Sequence, residues 1–154
     1  MIHTLEKILA ASVALRDLDP DSIKILAGCA ANVRFNAGEY LFHEGGESVK
    51  FYVLRAGKVA LEINAPGRGV ITVQTLGEGE IVGWSSIVPP IKKTFDVRAI
   101  ELTRALSFDG DCVRQKCKDD PKFGYELFKV FSSVISQRLQ ATRLQLLDLY
   151  APHS

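Results

Sequence analysis

The periodicities along the chain predict a mainly β, α+β fold. The architecture is a double-stranded β-helix or jelly-roll barrel of about eight short antiparallel strands, with helices before it and one long helix after it. Three observations carry this reading. Between residues 33 and 108 apolar side chains alternate in short runs separated by turn residues. Outside those limits the apolar spacing lengthens to that of a helix. The last stretch, 122–150, keeps helical spacing further than one side of a small barrel extends.

The order of elements follows from the residues. Residues 3–15 place Leu5, Ile8, Leu9 and Val13 at helical intervals. The apolar run within them is flanked by Arg16-Asp17-Leu18-Asp19, a poor cleavage site, so it is read as a helix of a cytoplasmic protein rather than a signal peptide. Asp19-Pro20-Asp21-Ser22 opens a second helix, with Asp19 as cap, Pro20 in the first turn and Asp21 at the positive end. Strands are expected at 33–35, 40–43, 50–55, 58–63, 70–76, 81–82, 95–100 and 104–108. Asn36-Ala37-Gly38, Glu44-Gly45-Gly46, Arg55-Ala56-Gly57 and the segment 64–69 supply the turns between them. Along residues 58–63, Val59, Leu61 and Ile63 are expected on one face and Ala60 and Glu62 on the other; Asp96 and Arg98 are expected at the surface. A helix follows over 109–119, Asp120-Pro121 breaks it, and the long helix begins.

That helix carries two stripes. Tyr125, Phe128, Ser132, Ile135, Leu139, Thr142, Leu146 and Leu149 step by three and four, while Leu127, Phe131, Val134 and Ala141 form a second line. One stripe suits the barrel; the other calls for a second copy of the same helix, so a homodimer is expected.

Composition limits the function. The 154 residues are 47% hydrophobic and 24% charged with net charge +1, which fits one domain with a substantial core, read as 1–32 helical, 33–108 barrel and 109–150 helical. There is no basic cluster for nucleic acid and no apolar run of membrane-spanning length. Cys29, Cys112 and Cys117 are odd in number and lack a CxxC pair, so reduced thiols are expected. The three histidines are far apart in sequence, and His43-Glu44 alone makes no metal site. Gly83-Trp84-Ser85-Ser86 is not a nucleophile elbow. No catalytic residue, no metal ligand and no enzyme is expected.

The informative stretch is LGEGEIVGWSSIVPPIKKTFDVRAI, residues 76–100. Gly77, Gly79 and Gly83 allow a tight turn, Trp84 to Val88 can form one helical turn, and Pro89-Pro90 stop it. Free amides at the start of that turn favour an anion, and Lys92 and Lys93 follow. Gly38 with Leu41 and Phe42, Gly45, Tyr52-Val53-Leu54, Gly57, Leu76 with Gly79 and Gly83, Arg98-Ala99, and Arg138 to Thr142 are arranged as in a known family. On these residues the chain resembles, from about residue 18 to 149, the cyclic-nucleotide-binding domain of catabolite-activator (Crp/Fnr-like) regulators.

The resemblance implies a ligand sensor in signal transduction. It assigns ligand contact to Gly83, Trp84, Ser85 and Ser86 in the glycine loop, to Lys93 and Thr94 where the next strand opens, and to Thr142 and Arg143 on the long helix. The family's loop has Gly-Glu, the Glu holding a ribose hydroxyl, and an Arg-(Ser/Thr)-Ala triplet whose Arg grips the cyclic phosphate. Here Trp84 replaces that Glu and Lys93-Thr94-Phe95 replaces the triplet. Indole N–H only donates, and lysine lacks arginine's fork. The expected ligand is therefore cyclic AMP or another nucleotide-like anion held by altered groups. The alternative is a ligand-independent dimerisation or partner-docking module whose pocket Trp84 and Phe95 close. Regulators of this kind usually carry a helix-turn-helix after the long helix; only four residues follow Tyr150. A stand-alone effector domain that does not itself bind DNA and acts on a separate effector protein is the expectation.

Overall fold

All eight anticipated strands form and pair antiparallel, in two four-stranded sheets. The structure, a computed structural model, describes residues 2–43, 45, 49–87 and 95–150. Helices α1 (Ile2–Ala11) and α2 (Pro20–Ala27) precede β1 (Ala30–Phe35), β2 (Tyr40–Phe42), β3 (Lys50–Ala56), β4 (Val59–Ala65), β5 (Gly69–Leu76) and β6 (Ile81–Val82). A short 3-10 turn at Trp84–Ser86 leads toward β7 (Asp96–Ala99) and β8 (Thr103–Asp109), then α3 (Gly110–Asp119) and α4 (Pro121–Tyr150). One sheet runs β1-β8-β3-β6 and the other β2-β7-β4-β5, the jelly-roll arrangement expected from the strand spacing.

Strands β3 and β8 of the first sheet are buried on both faces. Leu54, Val82 and Ala105 point into the sandwich with Leu61 and Val97 of the second sheet. Phe51, Val53, Leu106 and Phe108 point outward beneath the helices, against Leu9, Leu26, Phe123, Leu127 and Phe131. Phe51 stacks on its cross-strand partner Phe108 at 4.6 Å and meets Phe131 of α4 edge-on at 5.3 Å. Of the two stripes on α4, the one through Leu127, Phe131 and Val134 is thus the one the barrel covers.

The second sheet departs from simple alternation. Ala60 and Glu62 of β4 are as buried as Val59 and Leu61, whereas Ile63 is exposed. The reason is an ion pair laid over the sheet's outer face: Arg98 Nη2 lies 2.9 Å from Glu62 Oε2, and Tyr40 donates to Glu62 Oε1 at 3.5 Å. Arg98 is therefore only half exposed, a correction to its expected surface position, while Asp96 pairs with His43 at 3.5 Å.

The helical ends are tied together. Asp19 caps α2 by accepting from Ser22 N–H at 2.8 Å and pairs with Lys122 at 3.2 Å; Ser22 Oγ donates to Glu126 at 2.5 Å. The expectation of three reduced thiols is wrong: Cys29 and Cys112 form a disulfide with a Cα–Cα distance of 5.9 Å. Strand register explains it. Ala30 pairs with Phe108, so the residue just before β1 and the first turn after β8 are brought together across 83 positions of sequence. Cys117 stays free and half-buried, and burial pushes its thiol above the ordinary pKa.

Candidate ligand-binding site

The glycine loop folds as anticipated. Gly83 sits in the left-handed region (φ 90°, ψ 34°), where a side chain would be strained, and it turns the chain from β6 into the 3-10 turn. Ser86 N–H and Oγ both bond the Gly83 carbonyl at 3.1 Å, and the Ser86 carbonyl accepts from Arg114. Ser86 is completely buried. Its N–H and hydroxyl thus hold the turn, and Ser86 is not among the residues that line the adjacent hollow.

Beside the turn lies a hollow of about 20 Å³, lined by Phe42, Leu61, Val82, Gly83, Trp84, Ser85, Phe95 and Arg138. That is room for roughly one water molecule. Three of the anticipated residues, Gly83, Trp84 and Ser85, therefore share one wall, and Phe95 faces them as the altered triplet suggested. Lys93 and Thr94 lie outside the described residues, as do Pro89, Pro90 and Lys92. Thr142 and Arg143 do not line the hollow: Thr142 Oγ1 donates to the Arg138 carbonyl at 2.9 Å, and exposed Arg143 reaches Gln140 at 3.4 Å.

The residue that closes the site is Arg138, which the sequence placed among the residues of the resemblance but not among the expected ligand contacts. Its guanidinium carbon lies 4.7 Å from the centre of the Trp84 ring, and its Nη2 donates to the Ile81 carbonyl of β6. Its Nη1 is buried and has no hydrogen-bond partner among the described residues. Burial pushes the guanidinium down to about 10, with the Glu80 carboxylate acting in the opposite direction. A buried donor left unpaired costs about 1–3 kcal/mol, more when charged. A signal existed in the sequence: Arg138 falls four residues after Val134 on the inward stripe of α4, a cation where an apolar residue is the norm.

Arg138 also borders a second and larger space. A groove of about 880 Å³ runs between the 13–18 segment, the β5–β6 connection and α4, and Arg138 lines it with Val13, Leu18, Leu76, Ile81 and Val134. One guanidinium thus stands between the small hollow and the open groove. Among the described residues there is no cluster of three or more His, Cys, Asp or Glu side chains able to hold a metal, and no helix long and apolar enough to cross a membrane.

The comparisons with known proteins agree with this architecture. Residues 32–120 match the family described as "Cyclic nucleotide-binding domain". A CRP-like cAMP-activated global transcriptional regulator of Mycobacterium tuberculosis is 28% identical over 145 residues, which cover 94% of this chain and 63% of the relative. The chain thus spans less than two thirds of that relative's length. Among solved structures, a putative cyclic nucleotide-binding protein from Geobacter metallireducens superposes with a TM-score of 0.78 at 22% identity, covering 87% of this chain and 97% of its own. A cyclic nucleotide-binding domain from Methylobacillus flagellatus gives 0.83 at 16% identity, covering 99% and 85%. At these identities the structural likeness bears on the fold. With the family match covering more than half of the sequence and the jelly roll present, this chain belongs to the cyclic nucleotide-binding domain family.

Proposed function

We propose that the chain is a regulatory sensor that binds a cyclic-nucleotide-like or other anionic ligand at the glycine-loop hollow and reports it through α4. The observation that carries this reading is that α4 itself walls the hollow: Arg138 reaches from the helix to both β6 and the Trp84 turn. A guest that enlarges the hollow must displace that side chain, so occupancy and helix position are linked. The relative from Mycobacterium tuberculosis is described as cAMP-activated, which makes cyclic AMP the first ligand to try.

The expected test is isothermal calorimetry and thermal shift with cyclic AMP, cyclic GMP and inorganic phosphate. A Tm that rises with ligand concentration supports the sensor. A flat response to all three favours the second reading, a ligand-independent dimerisation or docking module. The observation on that side is the volume of about 20 Å³, far below the several hundred of an ordinary small-molecule pocket.

Both readings use the same assembly. Leu139, Leu146 and Leu149 on the uncovered stripe of α4 are 60%, 49% and 74% exposed. Pairing with a second α4 covers them and gives a homodimer, on whose surface a separate effector protein can dock. Light scattering of the Leu139→Asp/Leu146→Asp variant checks this: the wild type elutes as a dimer and the variant as a monomer. A monomeric wild type at high concentration refutes it.

A further inference from the structure

We infer that the Cys29–Cys112 disulfide is a redox site, reduced by a dithiol carrier, that governs how firmly the glycine loop is held. Arg114 is the positioning residue that connects the two. The input acts on the loop whatever the hollow binds, so it goes beyond the sensor reading and does not depend on it. The bond ties the end of α2 to the first turn of α3, and both cysteines are half-buried, within reach of a reagent in solvent. That same turn of α3 is seated on the glycine loop. Gly110 N–H donates to the Val49 carbonyl at 2.7 Å, and a Cβ added at Gly110 would stand 3.1 Å from the Ser86 carbonyl. Arg114, one turn further on, donates from Nη1 to the Ser86 carbonyl and from Nη2 to Asp111.

Ser86 is completely buried, so its carbonyl depends on a protein donor, and Arg114 supplies one. The helix that carries Arg114 has few other holds. Its sequence, GDCVRQKCKD, is mostly polar, and Gly110 and Val113 are its buried residues. At the far end Cys117 packs against Gly124 of α4. Opening the disulfide therefore leaves α3 attached at its end and frees its first turn. A cross-link restricts the state in which only that turn detaches, just as it restricts the unfolded chain, and breaking it raises the detached population. In that state Arg114 leaves Ser86, and the 3-10 turn bearing Trp84 loses its tie to α3. The exchange itself balances. A carrier thiolate bonds to one sulfur of the pair, the Sγ–Sγ bond breaks, and the other sulfur leaves as a thiolate and takes up a proton. The carrier's second thiolate then attacks the mixed disulfide, and the protein's remaining sulfur leaves and is protonated in turn. Two electrons and two protons pass to the protein, and the carrier departs as a disulfide; the reverse exchange restores the bond. Cys117, whose thiol is pushed up by burial, stays outside the exchange.

Dithiothreitol stands in for the carrier, and Trp84, the only tryptophan, reports on the loop without labelling. The full chain is equilibrated in mixtures of reduced and oxidised dithiothreitol, without denaturant and well below the melting temperature of the reduced form. Alkylation with mass spectrometry counts the thiols, while acrylamide quenching and far-UV circular dichroism are read on the same samples. Two thiols are expected to appear together and reversibly, with unchanged dichroism and a Trp84 quenching constant that rises about twofold. Oxidised Arg114→Gln should already show most of that rise and gain little more on reduction, whereas Arg114→Lys, which keeps a donor for the Ser86 carbonyl, should return toward wild type. The Cys29→Ser/Cys112→Ser variant should match the reduced protein and ignore dithiothreitol; it decides the loop's response if Arg114→Gln fails to fold. Thiols of the pair that appear only in denaturant overturn the redox site. Dichroism lost on reduction overturns it as well, since the bond is then a staple of the whole fold. Equal quenching in the two redox states overturns the link to the loop, and a redox response in Arg114→Gln as large as in wild type overturns the part given to Arg114.

Discussion

Removing the Cys29–Cys112 disulfide is the perturbation whose size can be worked most directly. The bond closes a loop across 83 positions. In the chain-entropy description the cross-link lowers the entropy of the unfolded chain by about 15 cal/mol/K, or roughly 4.5 kcal/mol at 25 °C. Unfolding entropy near 2 cal/mol/K per residue makes each kcal/mol worth about 3 °C for a chain of this length, so reduction is expected to lower Tm by roughly 10–14 °C. The native contacts at the same corner, Ser22–Glu126 and Asp19–Lys122, do not offset this, because the effect acts on the unfolded state. Calorimetry with and without a phosphine reductant measures the shift, and the Cys29→Ser/Cys112→Ser variant should melt with the reduced protein. Thiol titration in denaturant should find one reactive thiol before reduction and, since the chain has three cysteines, three after it. Three thiols before reduction, or a shift under about 3 °C, would refute the reasoning.

Other outcomes follow from single positions. Phe131→Ala removes a fully buried ring from between α4 and Phe51, and urea denaturation should show a loss of about 3–5 kcal/mol with an unchanged slope. Gly57→Ala should be among the most damaging small changes: φ is 92°, and a Cβ would meet the Leu102 carbonyl at 2.5 Å and Thr103 Oγ1 at 2.6 Å, costing at least about 2 kcal/mol by the same assay. The Ser22 N–H, then Lys122, hold the Asp19 carboxyl below its ordinary value of 3.8. A lowered folded pKa means stability that is present above 3.8 and lost as pH falls through the folded value, so Asp19→Asn, which keeps a cap, should flatten the acid limb of Tm against pH.

Much of the barrel was legible because its information is local. Turn glycines and period-two runs located every strand to within a few residues, and Asp19-Pro20 marked the start of α2 as found. The alternation expected for β4 held only partly, because the Arg98–Glu62 pair covers an outer face that was expected to meet water. The candidate site was half legible: Gly83, Trp84 and Ser85, expected in the glycine loop, line the hollow, whereas Arg138, named only among the residues of the resemblance, reaches it through the docking of α4, which no local spacing records.

What the sequence by itself determined is the set of elements and their apolar faces, since propensity, turn chemistry and hydrophobic period act over a few residues. What only the tertiary structure decided is which distant groups meet: Cys29 with Cys112 through the β1–β8 register, Glu62 with Arg98 across β4 and β7, and Arg138 with Trp84 across the hollow. Spacing along a chain carries no record of these meetings, because sheet register and helix docking are set by the burial of the whole core rather than by the residues that happen to be brought together.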